Sequence, residues 1–310
     1  MKQKLKIGTR GSRLALWQAE WVSDRLARHG VETEVVIIKT QGDAEVDRPL
    51  HELPGKGFFT KGIEDALLDG RVDVAVHSLK DLPTTLADGL ALGAIPERVD
   101  PAEALVARDP GVTSIAALAP GARVGTSSLR RVAQIRYLRE DLEIVPLRGN
   151  VPTRVQKVRD GSDLDAALLA GAGLERLGLE QAIAAKLDPL EVMPAPGQGA
   201  LGLEVRAGDL AATAALRPLD HAASADRVAA ERALLAALGG GCQAPVAAYV
   251  DQGKGEGGRG KARLYGRVTA PDGSVQLTAS AAFDPADPAG TGEAVADLLR
   301  GQGALELLAR

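Results

Sequence analysis

The single cysteine of this 310-residue chain, Cys242, lies in a glycine turn that can hold a reactive thiol. It follows Gly239, Gly240 and Gly241, and glycines allow the backbone to keep a side chain on an exposed turn, where a ligand can reach it. The turn therefore fits a covalent attachment point. The alternative is the small buried apolar residue that a free cysteine usually is.

A lysine and an aspartate, Lys80 and Asp81, come shortly after a strand predicted over Val72 to Val76. The strand shows little polar alternation, which indicates burial on both faces. Ligands gather beyond the carboxyl ends of strands in open α/β sheets. Among cations, Asp81 would stay ionised and could stabilise positive charge or move protons. The alternative is a structural aspartate that caps the turn before Pro83.

Two segments of the chain each combine an arginine, hydroxyls and a helix start. Residues 6–14 and 123–131 both read as a strand, Gly-Thr, serine and arginine, then a helix. Free N–H groups at a helix N-terminus beside an arginine bind anions. Ordinary capping with solvated arginines explains either copy alone. Because both copies carry the same chemistry, the pair favours anion binding.

Further arginines follow the ends of predicted strands over 143–147 and 165–170. If these strands belong to α/β sheets, the basic residues lie at the same end of their sheets. Such a cluster predicts a cleft for several carboxylates or phosphates, because guanidinium groups make bidentate contacts. The cations concerned are Arg10, Lys80, Arg130, Arg131, Arg148, Arg154 and Arg176.

The elements that must position these residues begin with a βαβ pattern. Strands are predicted over 4–8 and 34–38, with a helix over 14–28 that Ser12 caps. Residues 41–57 are loop-like and favour a lid, and Thr60 is predicted to cap the helix that follows. The other predicted elements are strands at 90–95, 201–205, 245–250, 262–269 and 275–283, a helix at 220–238 and a final helix at 292–308.

A glycine pattern near residue 200 imitates a dinucleotide-binding fingerprint. Gly197, Gly199 and Gly202 match the G-x-G-x-x-G spacing. A proline-rich segment precedes them, however, and a strand is predicted after them where the fingerprint needs a helix. No phosphate-binding P-loop motif occurs either. A nucleotide-dependent enzyme is therefore disfavoured.

Composition is that of an ordinary globular protein of two or three domains, with 45% hydrophobic and 25% charged residues. One cysteine and four histidines leave no zinc spacing, so no metal is expected. A net charge of −4 and 3% aromatics disfavour nucleic-acid binding. No apolar run suits a signal peptide or a membrane span. We expect a cytoplasmic protein without membrane partners.

Taken together, seven segments resemble the porphobilinogen deaminase (hydroxymethylbilane synthase) family over nearly the whole chain. These segments cover residues 8–18, 55–57, 77–83, 125–131, 147–150, 172–174 and 239–245. The resemblance implies an α/β fold of three domains. The first two would have the type II periplasmic-binding-protein fold with mixed sheets, and the third would be a small α+β domain with an antiparallel sheet. The expected bounds are 1–97 with 197–217, then 98–196, then 218–310.

The resemblance also implies a transferase of tetrapyrrole and heme biosynthesis. Four porphobilinogen molecules would be deaminated and joined head to tail onto an enzyme-bound dipyrromethane cofactor. Hydrolysis would then release hydroxymethylbilane. The resemblance to this family also suggests that the protein is a monomer. A non-enzymatic small-anion-binding protein on the same bilobal fold is the alternative function.

Site residues follow from the resemblance position by position. Cys242 would carry the cofactor in thioether linkage, and Asp81 would be the catalytic aspartate that stabilises the azafulvene cation. Other cofactor contacts are expected from Lys80, Asp81, Thr126, Ser127, Ser128, Arg130, Arg131, Arg148 and Gly173, and substrate contacts from Arg10, Ser12, Arg148, Arg154 and Arg176. Lys56 and Phe59 would belong to the family's mobile loop. Gly62 departs from the family pattern, where an acidic residue is expected, and weakens the helix start by up to about 1 kcal/mol.

Overall fold

Two five-stranded sheets and one three-stranded sheet form the framework of the described part of the chain. The computed structural model describes residues 4–40, 60–161, 163–239, 244–253 and 261–309. The chain divides into two compact units. The first unit comprises Met1–Val99 and Gly199–Ala225, and the second comprises Asp100–Gln198 and Asp226–Arg310. Helices and strands are numbered along the whole chain.

The first unit is built on a mixed sheet. Its strands are β1 (Leu5–Thr9), β2 (Thr33–Ile37), β3 (Val74–Ser78), β4 (Leu90–Ala94) and β10 (Leu201–Arg206), and its helices include α1 (Arg13–Ala27), α2 (Lys61–Leu68) and α6 (Leu210–Leu216). The strand order is β2-β1-β3-β10-β4. The first three strands are parallel, whereas β10 runs antiparallel to both of its neighbours. As the sequence predicts, a strand follows the misleading glycine pattern.

Helix α1 forms because one face of its sequence is apolar and its start is capped. Ser12 Oγ accepts a hydrogen bond from the backbone N–H of Ala15 at 3.3 Å, which confirms the predicted cap. The buried positions Ala15, Ala19, Val22 and Leu26 recur at helical spacing. Most of that face joins the core that β1, β3 and β10 build. The helix start is thereby fixed at the carboxyl end of β1.

The second unit repeats this sheet. Its strands are β5 (Glu103–Ala107), β6 (Arg123–Gly125), β7 (Glu143–Val145), β8 (Ala166–Ala170) and β9 (Ala185–Lys186), and its helices include α3 (Leu129–Leu138), α4 (Val151–Arg159) and α5 (Gly171–Arg176). The order is β7-β6-β8-β5-β9, with β5 antiparallel to both neighbours. In both sheets three parallel strands precede one reversed strand. The two sheets share this topology, and the expected α/β class with mixed sheets is confirmed.

Strand β5 had no counterpart in the sequence analysis. It is a short apolar run, Ala104 to Val106, buried between two core clusters. A strand covered on both faces lacks the polar alternation that marks a half-buried one. Its first residue, Glu103, is fully buried.

The rest of the second unit is a small α+β layer, as expected. Strands β11 (Val246–Asp251), β12 (Arg263–Thr269) and β13 (Gln276–Ala282) pair antiparallel in chain order. Helices α7 (Ala222–Ala237), α8 (Pro288–Gly301) and α9 (Ala304–Leu308) accompany them. A separate core forms here around Leu234, Val268 and Leu299. The division into three domains stays a prediction.

The final helix was predicted wrongly as one element over 292–308. It begins four residues earlier, at Pro288, because Asp287 caps it and proline suits the first helical position. It is interrupted before α9, where Gly303 has a φ of +94°, a conformation that favours glycine. Across the described ranges, no helix has the length and apolar character needed to cross a membrane.

Candidate active site

A pocket of the first unit lies where β1 and β3 end and α1 begins. Its volume is about 70 Å³. Three separate stretches of chain line it, before and within α1, before α2, and at the end of β3. Its polar lining consists of Arg10, Ser12, Gln18, Thr60, His77, Ser78 and Asp81. The pocket therefore brings together three residues that the sequence analysis selected, Arg10, Ser12 and Asp81.

Two buried leucines and a backbone hydrogen bond fix the turn that carries Lys80 and Asp81. Residues Leu79–Asp81 form one turn of 3₁₀ helix directly after β3. Leu79 and Leu82 are buried, and the Leu79 N–H donates to Ala200 O at 3.0 Å. Lys80 is half-buried and Asp81 is exposed. Apolar anchoring on both sides thus presents the Asp81 carboxylate to solvent and ligands.

Gln18 joins the two sides of the pocket. This buried residue of α1 donates from Nε2 to Ser78 Oγ at 2.8 Å. Nearby, Thr9 Oγ1 donates to Ala15 O at 3.0 Å, which ties the end of β1 to the first turn of α1. Ser12 uses a lone pair for its cap, so its O–H can still donate to a ligand. Gln18 was not predicted from the sequence. Its polar side chain on the otherwise apolar face of α1 is the local signal that could have identified it.

Three titratable side chains of the first unit are buried, and one of them, His77, also lines the pocket. They are Glu64 on α2, His77 on β3 and Glu204 on β10. His77 Nε2 lies 3.2 Å from Glu204 Oε2. Burial raises the pKa of Glu64 above its ordinary value. Neither glutamate was selected from the sequence, although Glu204 stands out as an acid within the apolar run Leu201 to Val205.

In the second unit, Glu103 clamps two neighbouring arginines. Its Oε1 accepts from Arg130 Nη2 at 2.6 Å, and its Oε2 accepts from Arg131 Nη2 at 2.7 Å. Arg130 also donates from Nη1 to Met193 O at 2.6 Å. Burial lowers the pKa of Arg130, and the Glu103 charge acts in the opposite direction. The sequence analysis missed Glu103 because a buried acid on an unpredicted strand gives no local signal.

Arg130 and Arg131 differ in the N–H donors that remain available to a ligand. Arg130 uses both terminal nitrogens within the protein. The Nε of Arg131 is buried and has no hydrogen-bond partner among the described residues. A buried N–H without an acceptor is costly. This donor is therefore suited to an anion that approaches Arg131.

The hydroxyls before α3 mainly shape their own turn. Ser127 Oγ donates to Leu147 O and accepts from Leu147 N–H, both at 3.0 Å. Thr126 Oγ1 accepts from the Ser128 N–H at 3.3 Å. Ser128 is the residue before α3 and makes no side-chain capping bond. Thr126 and Ser127 use their hydroxyls in bonds to backbone groups, whereas the Ser128 hydroxyl makes no capping bond.

The remaining cations of the second unit follow β7 and β8. Arg154 on α4 donates from Nε to Gly149 O at 2.8 Å, and Gly149 has a φ of +111°, so a turn there brings the backbone to Arg154. Arg148 precedes that glycine and is half-buried. On α5, Gly173 is buried, while burial lowers the pKa of Arg176 to about 10. Arg176 still carries its charge at neutral pH.

Three predicted site residues lie outside the described ranges, namely Cys242, Lys56 and Phe59. The glycine-rich stretch 254–260 also lies outside them. Within those ranges, no group of three or more His, Cys, Asp or Glu side chains could hold a metal ion.

Two protein-family models match most of the chain. The family model described as "Porphobilinogen deaminase, dipyromethane cofactor binding domain" matches residues 5–214, and its C-terminal domain model matches residues 225–301. The porphobilinogen deaminase of Roseiflexus castenholzii is 48% identical over 100% of both chains. That of Chromobacterium violaceum is 48% identical over 99% of this chain and 97% of its own.

A solved ABC-transporter substrate-binding protein of Coxiella burnetii is 15% identical and covers 74% of this chain and 96% of its own, with a TM-score of 0.42. The porphobilinogen deaminase of Roseiflexus sp. strain RS-1 is 49% identical over 100% of both chains. Two family models and full-length relatives near half identity show that the chain belongs to the porphobilinogen deaminase family.

Proposed function

We propose that this porphobilinogen deaminase carries its dipyrromethane on the sulfur of Cys242 and works with Asp81 beside the reacting groups. The reaction is the stepwise deamination and head-to-tail joining of four porphobilinogen molecules, followed by hydrolytic release of hydroxymethylbilane. When bound, the dipyrromethane supplies the free pyrrole carbon from which the chain grows.

Asp81 is placed to stabilise positive charge. Its carboxylate is exposed at a pocket with Arg10 and Ser12, on a turn anchored by buried leucines. A pyrrole that loses ammonia becomes cationic, and a fixed carboxylate lowers the energy of that cation and accepts hydrogen bonds from pyrrole N–H groups. Arg10 and the Ser12 hydroxyl are donors suited to the carboxylates of the same substrate.

The second unit is suited to hold the cofactor's carboxylates. Each pyrrole carries an acetate and a propionate, so the group is strongly anionic. The donor set there consists of guanidinium groups and hydroxyls, and the buried Arg131 Nε lacks an acceptor among the described residues. Arg148, Arg154 and Arg176 add positive charge after β7 and β8. The residues present therefore fit the group.

The observation that carries this assignment is the pocket itself. Arg10, Ser12 and Asp81 come from segments about 70 residues apart in the chain, and they line one cavity. Simple helix capping by Ser12 and turn capping by Asp81 would not require a shared cavity. The combination of a carboxylate with anion-binding groups suits a substrate that carries both charges.

Intact-protein mass tests the attachment to Cys242. We expect the purified enzyme to exceed its sequence mass by two linked pyrrole units, and Cys242→Ser to lose that excess. An unmodified mass in active wild-type protein would show that the assignment is wrong.

A second experiment tests Asp81. Asp81→Asn should keep the cofactor mass and lower kcat by about 10²-fold or more, since it removes the charge and keeps the shape. Asp69→Asn, an exposed acid just after α2, is the matched control and should behave as wild type. Normal turnover in Asp81→Asn would remove Asp81 from its catalytic role.

We further propose that the enzyme acts as a cytoplasmic monomer, without membrane or nucleic-acid partners. One cysteine in the whole sequence and a net charge of −4 support this proposal. Light scattering of the purified holoenzyme tests its mass in solution, and a dimer mass would contradict the proposal. A non-enzymatic anion-binding role is not favoured, because the relatives over the full length are deaminases.

A further inference from the structure

Three buried titratable residues of the first unit meet at one point. Their exposed fractions are 8% for Glu64, 5% for His77 and 0% for Glu204. They lie on three different elements, α2, β3 and β10. Buried ionisable groups are rare unless they are paired, and Glu204 and His77 are both close enough to Glu64 to affect its pKa.

Strand register explains why they meet. β10 runs antiparallel to β3, with Gly202 opposite His77 and Glu204 opposite Ala75. Residues two apart on a strand share a face, so Glu204 lies on the face of His77, one pair further along. Helix α2 packs on that same face, where Ile63 and Ala66 join a core with Ala75.

The polar atoms of this group are poorly satisfied. Glu64 Oε1, His77 Nε2 and both carboxylate oxygens of Glu204 are buried and make no hydrogen bond within the described residues. His77 Nε2 is nevertheless only 3.2 Å from Glu204 Oε2. Native proteins rarely leave such atoms unpaired. A proton between His77 Nε2 and Glu204 Oε2 would satisfy these two atoms.

His77 connects this group to the pocket, because it is one of the residues that line the same cavity as Asp81. Beneath the ring, Glu204 supplies a carboxylate, an arrangement that orients and charges an imidazole in many enzymes. Strand β4, which also packs against α2, carries no titratable residue. The other charged groups described on or next to the surrounding elements are Lys6, Arg10, Lys61, Asp65, Asp73, Lys80, Asp81 and Arg206.

The family reaction needs a place to hold a proton. The C–N bond of a protonated aminomethyl group breaks, and its electron pair leaves with ammonia. A C–C bond forms to a pyrrole carbon, whose C–H bond then breaks and releases a proton. The sum is R–CH₂–NH₃⁺ plus H–pyrrole giving R–CH₂–pyrrole plus NH₄⁺. Between its release and its capture by ammonia, the proton needs an acceptor.

We propose that Glu64, His77 and Glu204 form a proton-holding cluster that accepts this proton through the His77 ring and returns it to the leaving ammonia. The proposal rests on the proposed function and adds three residues to it. His77 would act as the base, Glu204 would pair with the imidazolium that results, and Glu64 would be a positioning residue behind them.

The state of Glu64 agrees with this role. Burial is the largest cause that raises its pKa, and the Glu204 charge acts in the same direction. The raised pKa favours the neutral form of Glu64, which adds no second negative charge beside Glu204. When His77 holds the proton, the imidazolium and the Glu204 carboxylate compensate each other's charge.

The first test compares pH profiles of the holoenzyme. We expect His77→Gln to keep its cofactor mass and KM, to lower kcat at neutral pH by about 10²-fold, and to lose the acid limb of kcat against pH. Glu204→Gln should move that limb to lower pH, because the imidazolium loses its carboxylate. His29→Gln, an exposed histidine after α1, is the control and should match wild type.

The second test does not depend on turnover or on the stability of the His77 variant. The chain has four histidines, so ring ¹⁵N resonances can be assigned by single substitutions. We expect Glu204→Gln to change the His77 ring shifts at constant pH and to leave those of His29 unchanged. Difference infrared spectra of the wild-type enzyme should show a carboxyl band that titrates above pH 4.5 and is lost in Glu64→Gln.

Two results would overturn the cluster. One is a wild-type pH profile and turnover in cofactor-loaded His77→Gln. The other is a His77 ring spectrum that does not respond to Glu204→Gln. Either result leaves the cofactor mass and the Asp81 experiment untouched, so failure of this proposal is distinguishable from failure of the proposed function.

Discussion

At the scale of single residues, Glu103 determines the state of two arginines. Its carboxylate is fully buried and bonds both Arg130 and Arg131. Without it, two buried guanidinium groups would face each other with no compensating charge. Arg130 and Arg131 are adjacent in the sequence, but they differ in the structure. Arg130 uses both terminal nitrogens within the protein, whereas the buried Nε of Arg131 remains available as a donor. Glu103, on another strand, binds both.

We expect Glu103→Ala to lower the free energy of unfolding by about 3–5 kcal/mol, because breaking a buried ion pair leaves charges uncompensated. Guanidinium denaturation measures this loss. The matched control is Glu143→Ala, whose carboxylate lies 3.4 Å from Arg123 but is 61% exposed. That variant should stay within about 1 kcal/mol of wild type. Equal effects of the two substitutions would contradict the clamp.

Glu64 gives a pH prediction. Because its pKa is raised in the folded protein, its stability contribution is full below the ordinary value of 4.5 and is lost as the pH rises through the folded value. Glu64→Gln cannot ionise. We therefore expect this variant to gain stability relative to wild type as the pH rises above 4.5, measured by urea denaturation at several pH values. A constant difference across that range would show that the shift is absent.

At the scale of elements, close approach of α7 and α8 depends on glycine. A Cβ at Gly292 would lie 2.5 Å from Ala230 O and 2.8 Å from Leu234 N, both backbone atoms. Backbone cannot move aside as a side-chain end can. The two helices must separate if this position carries any side chain.

Gly292→Ala should accordingly lower the thermal midpoint and cost about 1–3 kcal/mol of unfolding free energy, even though alanine is the better helix former. Gly301→Ala is the matched control on the same helix, since its Cβ would meet nothing within 4 Å. Calorimetry should show it as neutral or slightly stabilising. Destabilisation of both variants to the same extent would argue against the packing explanation.

At the scale of the whole molecule, Arg267 connects the third sheet to the rest of the second unit. From β12 it donates to Gln134 Oε1 at 3.0 Å, to Glu191 O at 2.9 Å and to Leu190 O at 2.7 Å. Burial lowers its pKa. Gln134 in turn bonds Met193, whose carbonyl accepts from Arg130. A polar chain therefore runs from β12 to the Glu103 clamp.

Arg267→Met should remove these bonds and cost about 3 kcal/mol. Hydrogen exchange read by mass spectrometry should show faster exchange in β11 to β13 than in β5 to β8. Arg263→Met, on the same strand but exposed and bonded only to Ser280 among the described residues, should exchange as wild type does. Uniformly faster exchange throughout the second unit would contradict the connecting role.

The sequence alone determined most of the local structure and the chemistry of the pocket edge. Ser12 was predicted as a cap, and Asp81 was predicted just beyond a buried strand; the structure shows both. Strand and helix periodicity, together with glycine and capping residues, are local signals, because they depend on neighbours a few residues away. The repeated Gly-Thr segments could be compared for the same reason.

Only the tertiary structure decided which polar groups are buried together. Glu103 meets Arg130 from 27 residues away in the chain, and Glu204 reaches His77 through the reversed strand β10. Neither pairing has a local sequence signal, because both depend on which strand lies next to which. Burial then turns ordinary acids into a clamp and a proton-holding cluster, since charges removed from water must find partners within the fold.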